Sequence, residues 1–218
     1  VQTGASGTVG NTAVGYQSGV AVTSGVHNTL LGKSAAAALQ TGGYNVAIGG
    51  NALVSEDTGT ATIAIGYGAA YSQNYDGSSG TVVIGHNAGY HNVTGVNNTY
   101  LGKGSGLGAS GQSNSNNTGV GKDALLAITT GGSNVAIGKD AMVTATTAAE
   151  NVAIGYEALG DIQAGSGANI AVGYYAMRNV DEGTGDGDAD YNIAIGYDAL
   201  KGGDFGSGND GKDLQYNI

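Results

Sequence analysis

Aliphatic and small residues alternate in short stretches that recur along nearly the whole chain. Each recurrence has the form N-[T/V/I]-A-[I/V/L]-G-x-x-[A/S]-x, and the eleven copies begin at residues 11, 28, 45, 62, 81, 98, 117, 134, 151, 169 and 192. The second position is β-branched in every copy, and the fourth is always a large aliphatic residue. β-Branching and period-two spacing favour a strand with these two positions on one face. Each repeat therefore predicts a short strand.

Glycine follows this strand at the fifth position of all eleven repeats, from Gly15 to Gly196, and Ala or Ser occupies the eighth position. A strand that always ends in glycine needs either a positive φ or a backbone approach too close for a Cβ. Further along the repeat, pairs such as Thr41-Gly42 and Thr58-Gly59 recur and indicate a second turn. We therefore expect each repeat to form a strand, a corner, a second strand and a second corner.

The repeats follow one another at intervals of 17 to 23 residues, most often 17. Helical repeats and ββα repeats need roughly 20–47 residues and are excluded. At ~3.3 Å per residue, 17 residues make one flattened coil, which stacks on the next at ~4.8 Å. The sequence thus predicts an all-β parallel β-solenoid of about eleven coils in a single segment, 1–218. Asn217-Ile218 repeats the start of the motif, so we interpret it as a twelfth repeat cut short in a longer array.

The two faces of the predicted strand differ in side-chain size, and we expect the larger one to point inwards. The aliphatic second and fourth positions would then fill a thin core, together with part of the ninth position, which is large in later repeats, as at Leu125 and Met142. The third position is mostly Ala and would leave a small apolar strip along the outside, which is an aggregation liability. Packing against copies of the same chain removes this liability, so the sequence favours a homo-oligomer.

Asparagine occupies the first position in nine of the eleven repeats. Stacked side-chain amides form hydrogen bonds along such a column in cross-β structures. Asn is equally common simply because it favours turns. The sequence leaves both explanations open.

Composition narrows the classes of function. The 218 residues include 43 Gly but no Cys, Pro or Trp, and the formal charge is −10. Without Cys there is neither a disulfide nor thiol catalysis, and seven Lys and Arg give no basic face for nucleic acid. No apolar run approaches the ~18 residues of a membrane span, and His27, His86 and His91 do not fit a catalytic triad. We expect a protein that is not an enzyme, binds no nucleic acid and inserts into no membrane through this segment.

Acidic residues concentrate near the end of the chain. Asp186, Asp188 and Asp190 alternate with Gly and Ala in a glycine-rich loop, as oxygen ligands of Ca²⁺ would. The loop lacks the distal glutamate of a twelve-residue calcium loop, so a solvated acidic loop is the alternative. Apart from this possible Ca²⁺ site, no cofactor is expected.

Tyrosines form a second group of candidates. Long loops are predicted at 71–80, 107–116, 178–191 and 201–216, and function concentrates in loops on rigid scaffolds. Exposed Tyr beside Asn, Gln and Ser suits contacts with sugars or proteins. The alternative is that the rings pack over neighbouring coils as hydrophobic lids. The residues that we expect to contact a receptor are Tyr71, Tyr75, Tyr90, Tyr174, Tyr175 and Tyr191.

The motifs NTAVGYQSG at 11, NVAIGGNAL at 45 and NVAIGYEAL at 151 resemble the head repeats of trimeric autotransporter adhesins and the NTAVGYQAL-type arrays of bacteriophage tail fibres. The resemblance covers residues 11–200. It implies a left-handed parallel β-roll, three identical chains around one axis, and a passive extracellular role on a virion or a bacterial cell surface. The partner would be a host-surface glycan or protein. The alternatives are a ligand-free spacer or filament subunit and, less favoured, a polysaccharide-degrading solenoid enzyme that uses the acids of 181–190 and 204–213.

Overall fold

The computed structural model describes residues 10–162, 165–179 and 190–202. Within them eleven strands, one in each repeat, form a single parallel sheet in chain order, and no residue is helical. The strands are β1 (Thr12–Val14), β2 (Thr29–Leu31), β3 (Val46–Ile48), β4 (Ile63–Ile65), β5 (Val82–Ile84), β6 (Thr99–Leu101), β7 (Thr118–Val120), β8 (Val135–Ile137), β9 (Val152–Ile154), β10 (Ile170–Val172) and β11 (Ile193–Ile195). Neighbouring strands align at the same repeat position, as Val135 does with Val152. The predicted all-β parallel solenoid is confirmed for these residues.

The second strand that the sequence predicted does not form in the described residues. The other side of the coil is made of turns, with isolated parallel bridges between Thr60 and Ser78 and between Ala149 and Gly167. The prediction was wrong because the two turn signals leave too few consecutive residues free to extend.

Left-handed residues explain how the chain turns so sharply after each strand. The fifth, seventh and ninth positions have positive φ, for example +132° at Gly121, +57° at Asp123 and +55° at Leu125. Because every second residue here has a positive φ, the backbone cannot continue as an extended strand. The turn remains paired to the next coil, since the Leu125 N–H donates to the carbonyl oxygen of Ala141 at 3.0 Å.

Glycine is required at the fifth position for two reasons at once. All eleven of these glycines have φ between +130° and +146°. A Cβ on Gly49 would lie 2.5 Å from the carbonyl oxygen of Gly66, the equivalent residue of the next coil. The peptide planes of successive coils therefore stack at this corner with no room for a side chain.

The first-position asparagines form a hydrogen-bonded ladder, which was one of the two explanations that the sequence left open for Asn at this position. Asn134 Oδ1 accepts the backbone N–H of Asn151 in the next coil at 3.0 Å. Asn134 Nδ2 donates to the carbonyl oxygen of Ala148 in its own coil at 2.8 Å. Both asparagines are fully buried. Each amide thus ties its own coil closed and also joins it to the next.

Replacing Asn134 by Ala is expected to lower the free energy of unfolding by about 3 kcal/mol, because two buried backbone groups lose their partners at ~1–3 kcal/mol each. Guanidinium denaturation followed by circular dichroism measures this. The control is Asn74→Ala, at an exposed position, where a change within about 0.5 kcal/mol is expected. Equal stability of the two variants would contradict a structural role for the ladder.

The strand faces are oriented opposite to the prediction. The third-position side chains point inwards, and Ala47, Ala64 and Ala136 have no exposed surface. The fourth position, expected in the core, lies on the outside, where Val14 is 56% and Ile195 71% exposed. The apolar strip left outside is therefore the larger, aliphatic one.

The core is built from the third, eighth, ninth and twelfth positions, and the sizes at the third and ninth compensate one another. Tyr100, at the third position, is fully buried among Gly89, Gly106 and Gly119. A Cβ on Gly119 would lie 3.0 Å from Tyr100 Cδ1. Where the third position is Ala or Gly, the ninth is often a buried Leu or Met: Leu53, Leu125, Met142, Leu159 and Met177. The small third position is therefore a requirement of close packing inside the coil.

Candidate functional site: the sheet face and the tyrosine stacks

The sheet face, which we define as the second- and fourth-position side chains of β1 to β11, is an apolar strip on the outside of the described residues. Eighteen of its 22 side chains are Val, Ile or Leu, and the other four are Thr. Ten strand spacings of ~4.8 Å make it roughly 48 Å long. It carries no charge and no amide, whereas ordinary protein surface has both. A strip of this length and composition marks an interaction surface.

The sixth position lies just past the glycine corner, beside the sheet face. It holds Lys103, Lys122 and Lys139 in consecutive repeats, followed by Tyr156, Tyr174 and Tyr197. Lys122 and Lys139 each pair with the aspartate that follows them, as expected for a solvated charge ladder. The tyrosine rings stack along the rod, with centroid separations of 5.0 Å and 5.2 Å. One edge of the sheet face thus carries lysine–aspartate ion pairs in its middle and aromatic rings further on.

The predicted receptor contacts fall in separate places. Tyr71 and Tyr90 stack on one another across adjacent coils, with centroids 4.6 Å apart. Tyr174 and Tyr175 meet edge to face at 4.2 Å. The other two, Tyr75 and Tyr191, are both exposed. The stacked rings cover neighbouring coils and also keep exposed edges, so the lid interpretation and the contact interpretation are both compatible with their positions. Receptor contact stays a prediction.

The calcium prediction falls largely outside the described residues, where Asp186 and Asp188 lie. Asp190 is described, and its Oδ1 accepts a hydrogen bond from the backbone N–H of Gly167 in the preceding coil at 2.6 Å. In 10–162, 165–179 and 190–202, no group of three or more His, Asp or Glu is placed to hold a metal ion. Asp190 thus contributes to coil stacking, and calcium binding by this loop stays a prediction.

Glu56 is a buried ionisable group that sequence reasoning missed. Glu56 occupies the twelfth position of its repeat, which is the buried Leu39 in the preceding repeat, and its side chain has no exposed surface. Its carboxylate accepts the backbone N–H of Gly59 at 2.7 Å and that of Tyr75 at 3.2 Å. Burial raises the pKa of the Glu56 carboxyl, and the two N–H bonds only partly offset this. The same position holds Leu39, Ile128 and Ile162 in three other repeats, so an acidic residue there was the available signal.

The raised pKa of Glu56 predicts a pH-dependent stability. A carboxyl whose pKa is higher in the folded chain than its ordinary 4.5 binds its proton more tightly when folded. Its contribution to the free energy of unfolding is therefore fully present below pH 4.5 and is lost as the pH rises through the folded pKa. Glu56→Gln should flatten this part of the profile in denaturation series between about pH 4 and pH 8. Glu150→Gln, at an exposed position, should leave the profile unchanged; parallel profiles for all three chains would refute the prediction.

Comparison with known proteins adds nothing to this geometry: no protein-family model, curated protein or solved structure matches the chain. Among the residues that the structure describes, no helix has the length and apolar character needed to cross a bilayer. The sheet face and the exposed tyrosines are therefore the features from which a function is inferred.

Proposed function

We propose that the chain is a segment of an extracellular fibre on a virion or a bacterial cell surface. Three copies pack through their sheet faces into a rigid rod, and the rod presents side loops for attachment. The observation that carries the proposal is the sheet face, an uncharged aliphatic strip that extends along all eleven strands. Left exposed, such a strip would aggregate.

A second copy of the same chain is the partner that matches the sheet face best. The rows of this face recur at the strand spacing of ~4.8 Å, because each strand contributes one row. A parallel copy has rows at the same interval, so contact can continue along the whole length, whereas a globular partner has no such period. The number of three chains and the left-handed coil come from the resemblance to adhesin heads and tail-fibre arrays.

The role proposed for the rod is mechanical. Backbone hydrogen bonds between in-register strands and the asparagine ladder both run along the axis, so a load along the rod is shared by many parallel bonds. Each coil contacts mainly its neighbours, as in other repeat proteins. This favours a stiff, elongated support over a folded enzyme pocket.

Attachment is proposed through the outer loops and tyrosines. Amphipathic rings with exposed edges suit a surface glycan or a protein. The proposed contacts are Tyr71, Tyr75, Tyr90, Tyr174, Tyr175 and Tyr191. The second candidate function is a spacer with no receptor, which the uniform, repetitive surface also favours.

Sedimentation equilibrium and a binding screen against glycan arrays and bacterial cells test the proposal. A mass of three chains with binding to a surface, weakened by Tyr75→Ala and Tyr191→Ala together, is the expected result. The paired control is Tyr16→Ala, which removes an exposed tyrosine in the first repeat, outside the proposed contacts. Three chains without binding to any surface would favour the spacer, and a monomer at micromolar concentration would contradict the assembly.

A further inference from the structure

Tyr71 and Tyr90 are held in a geometry that brings two phenols together. They occupy the tenth position of adjacent repeats, and their rings are nearly parallel, at 9°, with centroids 4.6 Å apart. The backbone fixes this separation, because the N–H of Ser72 donates to the carbonyl oxygen of Tyr90 at 3.0 Å. Both rings are half-buried and so reach solvent at their edges. The pair is therefore preorganised and also accessible to a small oxidant or to an enzyme surface.

We propose that Tyr71 and Tyr90 form an oxidative cross-linking site, at which a peroxidase-type one-electron oxidant joins adjacent coils through dityrosine. Each phenol loses one electron and one proton to give a tyrosyl radical. The two radicals form a carbon–carbon bond between the ring positions ortho to the oxygens, and the hydrogens on those carbons shift to the oxygens as the rings regain aromaticity. The two electrons and two protons reduce hydrogen peroxide to two molecules of water.

A cation stands over one ring of the other tyrosine stack, at Tyr156, whereas among the described residues none is found over Tyr71 or Tyr90. Lys139 Nζ lies 4.8 Å from the ring centroid of Tyr156, and a cation over a ring opposes removal of an electron from it. In the part of the chain that the structure describes, the cations found over tyrosine rings stand on Tyr156 and on Tyr175. Burial, followed by the nearby Tyr71 and Tyr67 phenols, raises the pKa of Tyr90, which agrees with the close approach of the phenol groups.

Such a link would give the solenoid a covalent tie between coils although the chain has no cysteine for a disulfide. A bond between residues 71 and 90 would close a loop within one chain and restrict the unfolded state, as a disulfide does. The link would therefore slow the local opening of these two coils.

The test is oxidation of the full chain by a haem peroxidase with hydrogen peroxide, in a Tyr174→Phe background that interrupts the other stack. We expect dityrosine fluorescence and a peptide pair linked through residues 71 and 90, lighter by two hydrogen atoms. Tyr71→Phe keeps the ring and its stacking but should lose the linked peptide entirely. Tyr16→Phe, which removes an exposed phenol in the first repeat, should leave the yield unchanged.

Three results would overturn the inference, and for the first two circular dichroism must show that the chains are folded. The linked peptides could join other tyrosines and omit residues 71 and 90. The coupled product could run as two or three chains on a denaturing gel, which shows cross-linking between chains. The yield of the 71–90 link could be equal in urea, which shows that the folded geometry is not needed. The expected product lies within one chain and forms whether or not the chains associate, so it is independent of the proposed fibre role.

Discussion

Gly49→Ala is expected to lower the free energy of unfolding by about 4 kcal/mol. The φ of +130° at Gly49 is unfavourable for a residue with a Cβ, at a cost of ~1–3 kcal/mol. The added Cβ would also lie 2.5 Å from the carbonyl oxygen and 2.6 Å from the carbonyl carbon of Gly66. Backbone atoms cannot rotate away as a side chain can, so the coils must separate locally, at a further ~1–3 kcal/mol.

The measurement is guanidinium denaturation followed by circular dichroism, with every chain at the same concentration because association contributes to apparent stability. Gly196→Ala is the matched control: its φ is +133°, and in the described residues its Cβ would meet only the Cβ of Ala199, at 3.8 Å. It should cost about 2 kcal/mol, from the dihedral angle alone. An equal loss in the two variants would show that the close approach of the coils contributes nothing.

The second large effect is expected on association. Ile137→Asp with Ile154→Asp places two carboxylates on adjacent strands of the sheet face, where the isoleucines are 38% and 37% exposed in the single chain. The aspartates stay solvated in a monomer but would be buried between copies, at several kcal/mol per ion. The sedimentation mass should therefore fall from three chains to one, while the circular dichroism spectrum stays that of the parent chain.

The control for this pair introduces the same charges elsewhere on the rod. Leu126→Asp with Val143→Asp replaces two partly exposed aliphatic residues at the tenth position of adjacent repeats, outside the sheet face. The assembly should keep its mass in this variant. Dissociation of both double variants would mean that added negative charge, and not the sheet face, controls association.

The sequence was sufficient to place the strands. Every repeat has a β-branched second position and a glycine fifth position, and the strands occupy the three residues between the first position and that glycine, as in Val46–Ile48 before Gly49. The fold class followed from the repeat length. Both inferences succeeded because eleven copies of one local pattern average out the ambiguity of a single three-residue strand.

The direction of the strand faces could not be taken from periodicity. Period two separates two faces but does not say which one points inwards, and the usual preference of large aliphatic residues for the core gave the wrong answer. The missed signal was size compensation. Leu30 faces Gly19, whose Cβ would lie 2.6 Å from Leu30 Cδ1, and Tyr100 is surrounded by glycines. Residues that adjust to one another's volume share a core, so the third and ninth positions had to be inside.

The candidate site was less predictable because it depends on which residues neighbour each other across coils. The composition predicts Tyr71 and Tyr90 as exposed loop residues, but their stacking arises because both occupy the tenth position of adjacent repeats, although the first of these repeats is 19 residues long. Glu56 was overlooked because it precedes an ordinary Asp-Thr-Gly turn. Aligning the repeats position by position shows that Glu56 corresponds to Leu39, and only this alignment would have placed the Glu56 carboxylate in the interior.

The packing around Tyr100 restricts how this gene segment can gain or lose copies of its repeat. Excising 98–116 alone would bring Gly89 and Gly119 together over an unfilled space, whereas an extra copy would set a second tyrosine ring against the first. Loss or gain of repeats in this region would keep the core filled only if residues 81–133 were deleted or duplicated together. In the repeats that begin at 134 and 151, an Ala at the third position accompanies a Met or Leu at the ninth. These two repeats are therefore nearly interchangeable, and one of them could be gained or lost without leaving a cavity or a steric clash in the core.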